Sequence, residues 1–275
     1  EAGLSILRAP RPAASPEAQV APATLEALGA ERCRQTLAKV SVERVHDEWV
    51  KAMRAPRPSI AFSLMEQTRV IDLHCPELRA LVGCDADVAG GDLRARALAA
   101  VDALEADPAL RIAALWAWLA RPQLDADYAA ASANIAEAIA SRLKFSSKDK
   151  ARIVETVRHH DLSHYATDWG DPAVRRWLRD VGRDRAGDVI AVARVLGDAA
   201  RVEDLAVRAE AAHDAVLTTR ELAIGGGDLM KELGMKPSRR IGEVLEALLE
   251  LVIDDPTKNE RHVLLEAARP LVAGD

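Results

Sequence analysis

Apolar residues recur at intervals of three and four along most of this chain, and this helical spacing restricts its fold more than any other feature. The segments 93–104, 110–119 and 241–253 show it most clearly. Alanine, leucine and arginine dominate, whereas aromatic residues make up only 3% of the chain and runs of β-branched residues are scarce. Because this composition favours helices over strands, the sequence predicts an all-α fold.

Proline, glycine and capping residues divide the chain into many short helices. Prolines crowd the first 22 residues, so this stretch predicts a loop or a broken helix. Ser41 and Ser146 stand where N-caps are expected, and a loop rich in glycine and aspartate covers 83–92. Besides the segments above, helices are predicted between Ser41 and Pro56 and at 22–38, 60–68, 128–143, 147–160, 171–181, 186–195, 202–217 and 228–233.

Composition also excludes several classes of protein. The three cysteines are odd in number and lack CxxC spacing, which argues against a disulfide framework and indicates a reducing cytoplasm. The longest apolar runs fall well short of the roughly 20 residues that a membrane-spanning helix needs. The net charge of −6 speaks against indiscriminate nucleic-acid binding, but a local basic strip can still attract phosphate.

Two ordered series of residues resemble a known family. The first lies near the start of the chain and consists of 41–45, Glu48, Lys51, 55–58 and 76–78. The second lies near its end and consists of Gly226, Gly227, Asp228, Leu229, Met230, Leu233, Gly234, Pro237, Arg240, Ile241, Gly242, Leu245, Leu248, Leu249 and Asn259. Both series are similar to bacterial tRNA nucleotidyltransferases and poly(A) polymerases. The resemblance implies a helical neck at 1–58, a body at 59–218 that resembles a degenerate HD domain, and a tail at 219–275.

The resemblance also implies a function. We expect the RNA-binding portion of such an enzyme, with tRNA or another structured RNA as partner. The family reaction, addition of CCA or A to RNA 3′ ends, is expected to belong to a catalytic head preceding this sequence. Magnesium and ATP or CTP would then belong to that head, and this chain would need no cofactor of its own. Two alternatives remain: a headless paralogue that acts as a protein-interaction scaffold, and a metal-dependent HD-type hydrolase.

The motif that selects the incoming nucleotide in this family is altered here. The matching stretch begins at Glu1, but Ala2 and Ser5 replace the aspartate and the arginine that would hydrogen-bond the base. Downstream, Arg8 and Arg11 still match. We therefore interpret Glu1, Arg8 and Arg11 as the remnant of a nucleotide-binding motif.

The metal site that some family members carry in the body is altered as well. Arg96 replaces the first histidine of this site, and Ala117 and Trp118 replace its His-Asp pair. Asp198 is the one metal-ligand position that keeps its residue type. We predict that this site is lost and that Trp116 and Trp118 fill the core. The alternative is a metal site formed from the histidine cluster, with His160, His164 and Asp198 as candidate ligands.

Two basic regions are candidates for RNA contact. Guanidinium groups suit phosphate, and glycine permits close approach of backbone N–H groups. The candidates are Arg175, Arg176, Arg179, Gly226, Gly227, Arg239 and Arg240. The alternatives are that the first three arginines form a solvated face paired with nearby aspartates, and that Gly234 merely ends a core helix.

Overall fold

The structure, a computed structural model, describes residues 22–84, 92–123, 127–162, 169–197 and 199–273. These residues form helices joined by turns and contain no β-strand, which confirms the all-α prediction. Internal contacts divide the chain into two compact units, Glu1–Leu162 with Gly187–Val202 and Ser163–Ala186 with Glu203–Asp275. The neck, body and tail were defined by resemblance instead, and that three-way division stays a prediction.

The first unit consists mainly of the N-terminal helices. They are α1 Pro22–Gly29, α2 Glu31–Leu37, α3 Val42–Met53, α4 Pro58–Gln67, α5 Leu93–Ala103, α6 Pro108–Trp116, α7 Tyr128–Arg142 and α8 Ser147–His159. Short 3₁₀ helices cover Ile71–Leu73, Pro76–Leu81 and Arg121–Gln123. Two further helices, α10 Arg183–Leu196 and α11 Ala199–Ala211, carry residues of both units.

The second unit contains α9 Asp171–Val181 and the C-terminal helices. These are α12 Gly226–Leu233, α13 Arg239–Asp254 and α14 Arg261–Ala273, with 3₁₀ turns at Thr219–Glu221 and Pro256–Lys258. Leu229, Leu248 and Leu264 are fully or almost fully buried where α12, α13 and α14 meet. This small apolar core holds the C-terminal hairpin together.

Aromatic rings form the centre of the first unit. Trp49 on α3 meets Phe62 on α4 edge-on at 5.1 Å between ring centroids, and it lies 6.4 Å from Trp116 on α6. All three side chains are almost completely buried. The apolar face of α3 is thereby fixed to α4 and α6, so its opposite face points to solvent.

Local capping signals explain several helix starts. Asp92 accepts a hydrogen bond from the backbone N–H of Ala95, and Asp107 accepts one from Ala109. Ser146 accepts one from Asp149, as the sequence predicted. Ser41 is the N-cap of α3, although its side chain makes no capping hydrogen bond. Such caps satisfy backbone donors that would otherwise lack partners at a helix start.

Three features differ from the sequence prediction, and one is that the helix predicted at 202–217 ends at Ala211. The helix predicted at 22–38 is divided at Ala30, whose backbone is extended. Just before it, a side chain on Gly29 would lie 3.8 Å from the backbone of Thr68, so the division occurs where α1 packs closely on the end of α4. Helix α14, which contains Pro270, is not predicted from the sequence pattern. None of the helices in the described part of the chain combines the length and apolar character that crossing a lipid bilayer requires.

Candidate functional site

The histidine candidate that the structure describes is a core residue. His160 is buried, its Nδ1 lies 2.7 Å from the carbonyl oxygen of Val157, and its ring meets Tyr128 edge-on at 5.7 Å. Burial lowers its pKa, so the neutral imidazole is favoured. His164 and Asp198 lie outside the described residues. Within the described ranges no three histidine, cysteine, aspartate or glutamate side chains are grouped as metal ligands, so these residues do not fit a bound metal ion.

The altered metal-site positions do come together in the first unit. The guanidinium of Arg96 lies 5.2 Å from the ring centroid of Trp118, and its Nη2 donates to the carbonyl of Leu196 at 2.8 Å. A cation is favourable both over an indole face and at the C-terminal end of a helix such as α10. Trp116 and Trp118 are both buried, as predicted. Arg96 therefore contributes to packing between α5 and α10.

The three arginines of α9 contact α13 within the second unit, Arg175 through backbone carbonyls and Arg176 and Arg179 through carboxylates. Arg175 donates to the carbonyl of Ile253 at 2.6 Å, which satisfies the end of α13. Arg176 pairs with Glu250 at 3.0 Å and with Asp254 at 2.6 Å. Arg179 also pairs with Glu250. These contacts hold α9 against the C-terminal half of α13.

The charges in this cluster stabilise one another. Hydrogen bonds from Arg179 and Arg176 lower the pKa of Glu250, and hydrogen bonds to the carboxylates raise the pKa of both arginines. The geometry is thus close to the alternative in which these arginines form a face paired with acidic residues. Glu250 and Asp254 are the main partners, in place of the nearby aspartates that the sequence suggested. The arginines keep some exposure, but much of their charge is balanced within the fold.

The glycines of the tail have different roles. A side chain on Gly226 would lie 2.9 Å from Cγ2 of Ile241, so this glycine permits α12 to pack against α13. A side chain on Gly227 would meet nothing within 4 Å. Asp228 accepts a hydrogen bond from the N–H of Gly225 at 2.9 Å and thereby caps α12. Of the two candidate glycines, Gly227 is the one that leaves the open space that close approach of a ligand would need.

The two tail arginines also differ. Arg240 donates to the carbonyl of Leu271 at 2.9 Å and to Glu243 at 3.1 Å, which ties α13 to α14. Arg239 is 95% exposed and has only a 3.5 Å contact with Glu243. It stands in the first turn of α13, whose N-cap Ser238 makes no side-chain cap. Arg239 is thus the better placed of the two for contact with a phosphate group.

Glu1, Arg8 and Arg11 lie outside the described residues, so the structure gives no geometry for the predicted nucleotide-binding remnant.

The N-terminal helices carry a basic surface that is not among the sequence-predicted candidates. Arg44 and Arg54 lie on the solvent side of α3 or at its end, and both are exposed. Further exposed basic side chains with no ion pair among the described residues are Arg32, Lys39 and Arg69. The missed signal was a row of basic residues at 44, 51 and 54, on the face opposite the buried Trp49.

Nearby basic residues differ from Arg44 and Arg54, because they pair with carboxylates. Lys51 pairs with the buried Glu48 at 3.3 Å, and Arg57 lies 3.7 Å from Asp102. Arg44 and Arg54, by contrast, have no carboxylate partner in the described part of the chain. An exposed arginine without a partner keeps its full charge for an external anion.

Two family models match this sequence. The model described as tRNA nucleotidyltransferase domain 2 matches residues 128–268, just over half of the 275 residues. The model described as "Probable RNA and SrmB-binding site of polymerase A" matches residues 19–81. The second match contains α1 to α4 and the five basic residues named above, Arg32, Lys39, Arg44, Arg54 and Arg69.

Solved structures share the fold. The CCA-adding enzyme of Bacillus stearothermophilus in complex with CTP superposes with a TM-score of 0.65 at 21% identity, over 97% of this chain and 62% of that chain. A second CCA-adding enzyme with CTP gives 0.52 at 15% identity, over 98% of this chain and 60% of that chain. This chain therefore spans less than two thirds of the length of either. A comparison with curated protein sequences found no match.

Proposed function

We propose that this chain binds structured RNA and supplies the RNA-binding portion of a nucleotide-adding enzyme. The chain belongs to the tRNA nucleotidyltransferase domain 2 family. The observation that carries the proposal is the coincidence of two features at residues 19–81. A family model for RNA binding matches this stretch, and its helices expose arginines that no described carboxylate neutralises. The natural RNA is most simply a tRNA.

The surface favours contact with the phosphate backbone. Arg44 and Arg54 are ten residues apart, about 15 Å along a helix, so they can reach separate phosphates. None of the phenylalanine, tyrosine and tryptophan side chains in the described ranges is more than partly exposed, so these ranges offer little surface on which an unpaired base could stack. Phosphate contacts position a nucleic acid without reading its sequence. We therefore infer that the chain recognises RNA by shape and backbone charge.

A binding experiment with a tRNA transcript over a salt series tests this proposal. The variant Arg44→Glu/Arg54→Glu is expected to weaken binding about 10- to 100-fold and to reduce the slope of log K against log salt by about 2, since each phosphate contact contributes about 0.9. The matched control is Arg220→Glu/Arg269→Glu, which changes the charge equally at two other exposed arginines. Equal binding by both variants and the parent protein would refute the proposal.

The arginine candidates of the tail and of α9 form two further arms of the same experiment. Arg239→Glu is expected to weaken binding severalfold, because its side chain is exposed and close to a helix start. For Arg176 the expected change in RNA affinity is smaller, because Glu250 and Asp254 already pair with it. Charge reversal there should mainly lower thermal stability, and the two readouts together separate a binding role from a structural one.

The remaining functional expectations form part of this proposal. Addition of CCA or A to RNA would be carried out with a catalytic head, which would bind magnesium and ATP or CTP. Such a head, or another protein, would be a partner of this chain. A role in tRNA processing would place the protein in the cytoplasm.

A further inference from the structure

Helix α9 and the C-terminal hairpin of α12, α13 and α14 belong to one compact unit, yet the hairpin has an apolar core of its own. The buried side chains of this core lie between residues 222 and 268, and the partly buried ones packed around them lie between residues 216 and 272. Among the described residues no side chain of α9 belongs to this core, although α9 buries an apolar face that includes Trp177. The apolar packing of the hairpin therefore does not depend on α9.

The contacts that join α9 to α13 are polar and open to solvent. Arg175, Arg176 and Arg179 meet the end of α13 at its backbone carbonyls and at Glu250 and Asp254. We call these five residues the clasp. The side chain of Arg176 is 37% exposed, and those of its partners Glu250 and Asp254 are 44% and 57% exposed. Ion pairs with this much exposure are weak and are screened by salt, so the clasp can separate at low cost.

The acidic end of α13 occupies the α9 arginines as an external phosphate would. A guanidinium group donates to a carboxylate and to a phosphate with the same forked geometry. The carbonyls at the end of α13 add the partial negative charge of a helix C-terminus. With α13 moved away, this face of α9 would present three arginines, with Asp180 at 3.5 Å from Arg179 as a weaker partner. A phosphate polyanion and the end of α13 therefore compete for the same groups.

We propose that the clasp is an electrostatic switch, which salt or a phosphate polyanion opens by displacing Glu250 and Asp254 from the α9 arginines. The switch goes beyond the proposed function, because it lies within the second unit and does not depend on the surface at residues 19–81. Arg183 marks the hinge, since it donates to Glu221 at 2.8 Å in the segment that enters the hairpin. Opening moves the folded hairpin about this segment and leaves its apolar core intact.

Hydrogen–deuterium exchange resolved by mass spectrometry measures the opening. The parent chain is compared at constant pH in about 50 mM NaCl, in about 500 mM NaCl, and in about 50 mM NaCl with inorganic polyphosphate. Between the two salt concentrations the Debye length falls from about 14 Å to about 4 Å. Backbone amides at 171–181 and 250–255 are expected to exchange about threefold faster in high salt and with polyphosphate. Amides at 226–233, in α12, report on the hairpin core and should exchange at an unchanged rate.

Two double variants separate the clasp from a general effect of charge. Glu250→Gln/Asp254→Asn keeps the shape of both side chains without their charge. Its amides at 250–255 should exchange at the fast rate already in low salt, with no further acceleration by salt. The matched control is Glu246→Gln/Glu266→Gln, which removes the same charge at two exposed glutamates outside the clasp and should behave like the parent chain.

Three results would overturn the switch. Exchange that is the same in low and high salt shows that the clasp does not open. Equal acceleration in α12 shows that the hairpin unfolds instead of moving as a folded body. If polyphosphate accelerates exchange no more than inorganic phosphate at the same phosphorus concentration, competition by a polyanion is wrong. These readouts do not involve tRNA, so failure of the switch leaves the proposed function standing, and normal tRNA binding by Arg44→Glu/Arg54→Glu would refute that function without affecting the switch.

Discussion

The buried Arg111 provides a stringent test of how the first unit is held together. Its side chain is only 4% exposed. The guanidinium donates to the carbonyl of Met53 at 2.6 Å, to that of Ala55 at 2.7 Å, and to that of Leu104 at 2.8 and 3.2 Å. These carbonyls lie at or just beyond the C-terminal ends of α3 and α5, where a positive charge is favourable. One arginine of α6 thus joins the ends of two other helices.

Replacing Arg111 with methionine removes these donors while keeping most of the side-chain volume. Three carbonyl groups would lose a charged donor, and an unsatisfied buried group costs about 1–3 kcal/mol. Part of this cost is offset, because burial of the guanidinium itself is unfavourable and burial also lowers its pKa. We expect a net loss of about 3 kcal/mol in the free energy of unfolding.

Urea unfolding followed by circular dichroism measures this loss. With an m-value of about 2–3 kcal/mol per molar, the midpoint for Arg111→Met should fall by about 1 M or more. Arg111→Lys should lie between the parent chain and the methionine variant, since one ammonium group cannot reach all three carbonyls. The control is Arg54→Met, an exposed arginine between two of the same acceptors, which should change the unfolding free energy by less than about 0.5 kcal/mol.

A midpoint for Arg111→Met within about 0.3 M of the parent value would contradict this reasoning, given the expected m-value. It would show that the three carbonyls obtain other donors at little cost. The same conclusion would follow if Arg54→Met were as destabilising as Arg111→Met, because the effect would then not depend on burial.

Two further predictions concern the tail and the pH dependence of stability. Gly226→Ala should destabilise the protein by about 1–3 kcal/mol in thermal unfolding, because the new Cβ would lie 2.9 Å from the stiff, branched side chain of Ile241. The control variant Gly227→Ala should be neutral or stabilising, because its Cβ would meet nothing within 4 Å. Burial, and then the charge of Arg142, lower the pKa of His74 to about 4. Since the unfolded state binds this proton near pH 6.5 and the folded state does not, the unfolding free energy should fall as pH decreases from about 6.5 to 4, and His74→Gln should reduce that fall.

The sequence alone determined the helical architecture, because the interactions that form a helix are local. Apolar spacing placed α9 at 171–181, as the structure has it, and the cap at Ser146 involves a residue three positions away. The resemblance of the C-terminal series to a tRNA nucleotidyltransferase also needed no structure. The apolar spacing and the cap depend on residues within a few positions of one another, and the C-terminal series is an ordered pattern along the chain, so the sequence records all three directly.

Tertiary structure alone decided which charges remain available for a partner. Arg176 and Arg54 look alike in sequence, but Arg176 pairs with Glu250, 74 residues away, while Arg54 has no described partner. Arg111 likewise meets a carbonyl 58 residues away at Met53. The energy of a charged side chain depends on the groups that folding brings within a few ångströms of it, and sequence separation does not reveal those groups.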